Sequence, residues 1–290
     1  MKIPLLVSQQ WLYDNHTHPE VQIIENAWVR ESYHKAHVSG ALFLPVHPYL
    51  KKFDVNQERT QHVMEPEDFM ALCDALGLKR DKHYILYDDY FGLFAARFWC
   101  VCRHFGVHNL SLLDGSWRGW LEKGHPVSSR MEAPEPGTDI VIDSKTSHFI
   151  NLEALQRIYR DADVQLWDNR RVGEFTGEEE PANRRRGHIP GALHLEWTDL
   201  LTEAVSEGAP RFLKPLAALE QLVADLGLRR DKTIITYCQS GNRAAFCDFV
   251  LELLGYPDHR MYDASMGEWA NLTETPLVCG TGEEGDDTKP

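Results

Sequence analysis

The chain has 290 residues, 43% hydrophobic and 26% charged, with a formal net charge of −14. That length allows two domains, each large enough to bury its own core. The acidic balance argues against nucleic acid or an anionic membrane as a partner, because the long-range field repels phosphate, and any anionic substrate must therefore meet a local cluster of arginines.

The first segment, MKIPLLVSQQWL, carries an apolar run that ends at Val7, too short for a secretory signal core. No stretch further on approaches the ~20 apolar residues of a spanning helix. The six cysteines, at positions 73, 100, 102, 238, 247 and 279, form neither a CxxC pair nor a disulfide framework. A reducing, cytoplasmic setting is expected, in which a thiol stays available.

Read onward, the chain is written twice. VQIIEN (21–26) returns as VQLWDN (164–169) at an offset of 143, and HVSGALFL (37–44) as HIPGALHL (188–195) at 151. ALGLKRDKHYILYD (75–88) returns as DLGLRRDKTIITYC (225–238) at 150, and LLDGSWRGW (112–120) as MYDASMGEW (261–269) at 149, which sets Trp120 on Trp269. Nearly constant offsets of this size mean domain duplication. The step from 143 to 151 places an insertion of eight residues in the second copy, within TGEEEPANRRR (176–186).

YILY and TIITY are short β-branched and aromatic runs, the pattern of buried parallel strands. After the second run, Ala245, Phe246, Phe249, Val250, Leu253 and Leu254 have the spacing of one helix face, with Gly255 positioned to cap it. Strands alternating with helices predict an α/β fold, with the site at the carboxyl ends of the strands. The Pro- and Gly-bearing stretch SSRMEAPEPGTD (128–139) is the expected linker, giving domains 1–130 and 131–278, followed by an acidic tail, 279–290, expected to be disordered.

The chemistry concentrates in CQSGNR (238–243), where a strand gives way to a helix. Backbone N–H groups of such a loop point inward, the helix adds the positive end of its dipole, and Gly241 permits the necessary backbone angles. Together with the Arg243 guanidinium these favour a thiolate at Cys238. The predicted result is an anion-binding bowl with a nucleophilic sulfur at its floor. Two chemistries fit it: attack on phosphorus, or attack on a sulfane sulfur to give a persulfide. Four residues separate Cys238 from Arg243, one fewer than in cysteine phosphatases, and the smaller bowl favours a single sulfur atom.

CQSGNRA, RRGHIPGALHLEW, LWDNRRVGEF and YDASMGEW resemble the rhodanese family, the thiosulfate and 3-mercaptopyruvate sulfurtransferases; HVSGALFL, YDDYFGLFAARFWCVCRHFG and LLDGSWRGW resemble the non-catalytic domain of its tandem members. The resemblance spans nearly the whole chain. It implies two tandem rhodanese-like domains, each a mainly parallel sheet flanked by helices, with Asp88 standing in the first where Cys238 stands in the second. It also implies Cys238 as nucleophile, a small-molecule sulfur donor, and cyanide or another thiophilic acceptor. No metal or cofactor is implied. A thioredoxin-like or other protein acceptor is the alternative outlet for the persulfide, and a cysteine-dependent phosphatase the remoter alternative.

Around the nucleophile, Gln239, Ser240, Gly241, Asn242 and Arg243 are expected to contact the donor, with Arg185 and Arg186, from the run Arg184–Arg186, supplying positive charge. The Ser240 hydroxyl is open to two roles, polarising the donor or capping the helix. Asp168 and Arg170 match the family's strand-end motif and are expected to brace the loop. His37 resembles a histidine that reaches the site in mercaptopyruvate enzymes, and its repeat partner is His188. Glu174 stands where mercaptopyruvate enzymes place a carboxylate-binding arginine, and the GNR ending also departs from their pattern. Both departures favour thiosulfate, whereas Ser240 and His37 lean the other way.

Overall fold

The β-branched and aromatic runs form short parallel strands because both faces of each are covered, so no polar alternation interrupts them. The structure, a computed structural model, describes residues 2–45, 47, 49–143, 148–179 and 183–281. It divides into two units: Met1–Glu58 with Met64–Ser147 and Leu201–Leu213, and Arg59–Val63 with His148–Leu200 and Lys214–Pro290. Most of the tail expected to be disordered, and part of the insertion, lie outside the described residues.

Elements run β1 (Leu6–Val7), α1 (Gln9–Asn15), β2 (Val21–Glu25), α2 (Arg30–Lys35), β3 (His37–Val38), β4 (Ala41–Phe43), β5 (Lys51–Phe53), β6 (Arg59–Val63), α3 (Pro66–Ala75), β7 (His83–Tyr87), α4 (Leu93–His104), β8 (Leu110–Leu113), α5 (Ser116–Glu122) and β9 (Val127–Ser128). The second half continues with β10 (Phe149–Ile150), α6 (Leu152–Ile158), β11 (Val164–Asp168), α7 (Val172–Thr176), β12 (Leu193–His194), a 3-10 turn (Trp197–Leu200), α8 (Leu216–Asp225), β13 (Thr233–Tyr237), α9 (Asn242–Leu253), β14 (His259–Tyr262) and α10 (Ser265–Trp269).

Each unit has one five-stranded sheet, ordered β1-β8-β7-β2-β4 in the first and β10-β14-β13-β11-β12 in the second. All of its pairings are parallel. The register repeats: Ile23 faces Ile85 across β2 and β7, and Leu166 faces Ile235 across β11 and β13. Consequently the two cores are built from repeat-related residues, Ile23, Val38, Ile85, Tyr87 and Trp120 in one, Leu166, Ile189, Ile235, Tyr237 and Trp269 in the other. Each buried aliphatic side chain of this kind contributes roughly 1.5–3 kcal/mol. Each buried indole also satisfies its N–H, which donates to Pro126 O from Trp120 and to Pro276 O from Trp269, both at 2.8 Å.

Residues 129–143 have no regular structure. They are anchored to the first unit by Gly137 N–H on Asp74 O (2.9 Å) and Thr138 Oγ1 on Leu78 O (2.7 Å). No helix is long and apolar enough to cross a membrane among the described residues.

Candidate active site

The carboxyl end of β13 delivers Cys238, and α9 starts four residues later, at Asn242. Gly241 makes the connection at φ 90°, in the left-handed region where a side chain would be strained. This turn points the Gly241 N–H back at the Cys238 sulfur, with N···Sγ at 3.1 Å. The strand-end backbone is held from below by α10: Ser265 Oγ accepts from Cys238 N (3.1 Å), Met266 N donates to Cys238 O (3.0 Å) and Gly267 N to Gln239 O (2.8 Å). Ser265 reaches this position with φ 54°.

A Cβ on Gly267 would lie 2.5 Å from Gln61 Oε1 and 3.0 Å from Gln239 O, so a side chain there would displace the Gln61 amide and crowd the Gln239 carbonyl. Gln61 belongs to β6, a segment from the first half of the sequence that is part of the second unit. Motif reading missed this residue because its sequence position lies far from α10, against which it packs. Ser265, in contrast, was legible as the repeat partner of Ser116.

Asp88 occupies the corresponding place in the first unit. Its Oδ1 accepts from Tyr90 N and Gly92 N, both at 2.8 Å, and its Oδ2 from Phe94 N (2.6 Å) and Ala95 N (3.0 Å). Ser116 Oγ accepts from Asp88 N, as Ser265 Oγ does from Cys238 N. The turn glycine, Gly92, has φ 91°, but three residues separate it from Asp88, where two separate Gly241 from Cys238. The first copy therefore has a longer loop, filled by its own carboxylate. Burial pushes the Asp88 carboxyl up from its ordinary value while the backbone amides pull it down.

Cys238 is 1% exposed, more enclosed than an open bowl implies, while Gln239, Ser240 and Arg243 of its loop are half-exposed. Ser240 does not cap α9, whose N-terminus has no side-chain cap. Asn242 is 4% exposed, and its Oδ1 is buried without a hydrogen-bond partner.

Arg243 points to Glu174 on α7, with Nη1 2.6 Å from Oε2 and Nη2 2.9 Å from Oε1. Burial works against the guanidinium's charge, but Glu174 and the nearby Cys238 sulfur outweigh it and raise the Arg243 pKa. Burial likewise opposes ionisation of Glu174, and the Arg243 bond overrides it, so its pKa falls below the ordinary carboxylate value. The pair leaves this edge of the loop close to neutral.

Asp168 and Arg170 are buried beside β13. Arg170 Nη2 donates to Asp168 Oδ2 (2.6 Å) and to Gly187 O (2.9 Å), tying the end of β11 to the end of the insertion. Arg185 is spent on three backbone carbonyls and one hydroxyl, with Nη1 on Thr275 O (2.7 Å) and Nη2 on Trp269 O (3.2 Å), Leu272 O and Thr275 Oγ1. Arg186 is exposed, and among the described residues its guanidinium makes only a long contact from Nη1 to Gly177 O (3.5 Å). Asn183 pairs its amide reciprocally with that of Gln239, at 3.0 and 2.8 Å.

His37 is fully buried in the first unit, stacked on Tyr33 at 3.7 Å with Nδ1 2.7 Å from Tyr33 O. His188 repeats the arrangement on Phe175, at 3.6 Å between rings and 2.8 Å to Phe175 O. Burial lowers the His188 pKa, which keeps it a neutral scaffold group near neutral pH. Cys247 lies in the core of α9, fully buried, and burial pushes its thiol well up. His16 and His18 each place Nδ1 on backbone of their own turn.

Comparison with known proteins places this geometry. The family model described as "Rhodanese-like domain" matches residues 8–123 and 151–272. The chain is 30% identical to the 3-mercaptopyruvate sulfurtransferase of Escherichia coli over 295 residues, covering 96% of this chain and 99% of that protein. It is 29% identical to the thiosulfate sulfurtransferase of Pseudomonas aeruginosa over 284 residues, covering 95% and 97%. The solved structure of SseA from Escherichia coli, a 3-mercaptopyruvate sulfotransferase, superposes with a TM-score of 0.75 at 29% identity, over 91% of this chain and 99% of that one. An EanB variant in complex with ergothioneine gives a TM-score of 0.81 at 19% identity, over 96% of this chain and 70% of that one, a likeness of fold alone.

Proposed function

The chain belongs to the rhodanese family, with two rhodanese-like domains, and from that premise we propose that it is a sulfurtransferase whose nucleophile is Cys238 and whose preferred donor is thiosulfate. The observation that carries the reading is the Gly241 N–H on Cys238 Sγ at the end of β13, in a loop whose counterpart in the other copy holds a carboxylate. An amide aimed at the sulfur stabilises negative charge on it, and after transfer the same cradle serves the persulfide.

The reaction has two displacements. The Cys238 thiolate attacks the outer sulfur of thiosulfate; the Sγ–S bond forms, the S–S bond of the donor breaks, and sulfite leaves with its electron pair. Cyanide or another thiophile then attacks the terminal sulfur of the persulfide, and the Cys238 thiolate is the leaving group. Ping-pong kinetics follow. In this reading the Ser240 hydroxyl, which does not cap α9, donates to the oxyanion end of the donor.

Overall similarity does not choose the donor, because relatives of both names match equally well. The Glu174–Arg243 pair does favour one. A substrate carboxylate needs an unpaired guanidinium, and here both Nη groups are already satisfied by Glu174. The same pairing disfavours phosphatase chemistry, in which the loop arginine must grip phosphate oxygens. Steady-state kcat/KM for thiosulfate and for 3-mercaptopyruvate, with cyanide as acceptor, tests the assignment. Thiosulfate should be the better donor, and a clear preference for mercaptopyruvate overturns it.

A further inference from the structure

Deepening the sulfurtransferase reading, and resting on it, is the question of what turns the amides of the Cys238 loop inward. In a trans peptide the C=O and the following N–H point in opposite directions. From α10, Met266 N donates to Cys238 O at 3.0 Å and Gly267 N to Gln239 O at 2.8 Å. The Gln239 and Ser240 N–H groups are therefore directed away from α10, into the loop that Gly241 N–H closes on the sulfur. Among the described residues neither of them has a backbone acceptor. Three successive N–H groups are thus held ready for negative charge.

The first copy has only half of this arrangement. There Trp117 N donates to Asp88 O at 3.0 Å, as Met266 N does to Cys238 O, but among the described residues Arg118, the repeat partner of Gly267, makes no such bond to Asp89 O. The second bond therefore goes with the nucleophile, and so does its brace. With no side chain at position 267, Gln61 of β6 packs directly on the glycine: a Cβ there would lie 2.5 Å from Gln61 Oε1, 2.6 Å from Gln61 Cδ and 3.0 Å from Gln239 O. The next residue fastens β6 to the same helix, with His62 Nε2 3.5 Å from Glu268 Oε1, while Glu268 Oε2 accepts from Tyr262 OH at 2.7 Å. Helix α10 spans five residues, and a helix that short depends on its packing for order.

We infer that Gln61 is a positioning residue for the chemistry at Cys238: by packing on Gly267 it holds the Gly267 N–H on Gln239 O and so keeps the Ser240 N–H aimed into the loop. Its effect passes through that one peptide. Loss of the brace lets the first turn of α10 shift and the peptide between Gln239 and Ser240 rotate, which withdraws one hydrogen bond from charge on the sulfur.

The test uses the full chain with Gln61→Ala, Gln61→Met and Gly267→Ala. In single turnovers Gln61→Ala should form the Cys238 persulfide from thiosulfate roughly fivefold more slowly, the weight of one hydrogen bond, while the thiosulfate concentration for half-maximal rate changes little. Alkylation of Cys238 by iodoacetamide at pH 7, followed by peptide mass so that Cys279 is counted separately, should slow by a similar factor. Gln61→Met refills the space over Gly267 without the amide and should recover most of both rates. Gly267→Ala should lower them at least as far as Gln61→Ala does. Unchanged rates or faster alkylation in Gln61→Ala, a Gln61→Met as slow as Gln61→Ala, or a fully active Gly267→Ala overturns the inference, and the two Gln61 variants decide it even where Gly267→Ala fails to fold. Intact mass of the wild type after thiosulfate separates the two failures: a persulfide with an indifferent Gln61→Ala sinks this inference alone, whereas no persulfide sinks the sulfurtransferase reading with it.

Discussion

Arg243 and Glu174, 69 residues apart, meet as a bidentate ion pair at 2.6 and 2.9 Å, with only 18% and 15% of their side chains exposed. Glu174→Gln removes the charge and sets an amide N–H in place of one carboxylate oxygen, leaving the largely buried Arg243 with an unsatisfied donor, which costs about 1–3 kcal/mol. Glu174→Gln should therefore lower stability by that order in denaturant unfolding. It should also free Arg243 for a substrate carboxylate, so the ratio of mercaptopyruvate to thiosulfate kcat/KM should rise. A ratio that stays fixed while stability falls would make the pair purely structural.

Asp88 is fully buried and accepts four backbone N–H groups of its loop and helix start. Asp88→Ala strands all four and should cost more than about 3 kcal/mol, while Asp88→Asn, which keeps some acceptor capacity, should cost less. Urea unfolding of both variants measures the difference. Neither should alter the chemistry at Cys238 in the protein that remains folded.

Glu25, the repeat partner of Asp168, pairs with no arginine among the described residues. Its carboxylate accepts from Tyr87 OH in a buried setting, and burial pushes its pKa from 4.5 up to about 8. Between those values the unfolded chain releases a proton that the folded chain keeps, so stability falls as pH rises through the window. Glu25→Gln removes this loss. The variant should gain on the wild type in Tm from pH 5 to pH 8, and a constant difference across that range would contradict the assignment.

His259 shows the opposite chemistry at the same kind of depth. Burial opposes its charge, but Asp248 at 2.8 Å and Glu252 at 3.0 Å override it and raise its pKa from 6.5 to about 10. The stabilisation is complete below the unfolded value and is lost as pH climbs through about 10. His259→Gln should be markedly less stable than wild type at pH 6, with the gap closing toward pH 10. Thermal melts at both ends of that range check it.

The duplication was legible because the repeat preserves what the fold needs at fixed spacing: the strand runs, the turn serines Ser116 and Ser265, and the indoles Trp120 and Trp269. Cys238 was legible for a related reason, since a thiol opening a Gly and Arg loop after a buried strand has one obvious geometry. Partnerships across sequence distance were not. Glu174 was readable as a departure from a motif, but not as the counter-ion of Arg243. Among Arg184, Arg185 and Arg186 the sequence offers three identical side chains, and only coordinates reveal that Arg185 is consumed by the carbonyls after α10. The one-residue difference between the Asp88 and Cys238 loops shows in the sequence as the step in offset from 150 before them to 149 after them, but that the extra residue goes with a loop filled by its own carboxylate required the hydrogen bonds of Asp88.

Intact mass spectrometry of the wild type and of Cys238→Ser, before and after thiosulfate, tests the central claim most directly. Wild type should gain the mass of one sulfur atom and lose it again on addition of cyanide, while Cys238→Ser should gain nothing. An adduct that survives in Cys238→Ser, or a wild type that stays unmodified, would contradict the account.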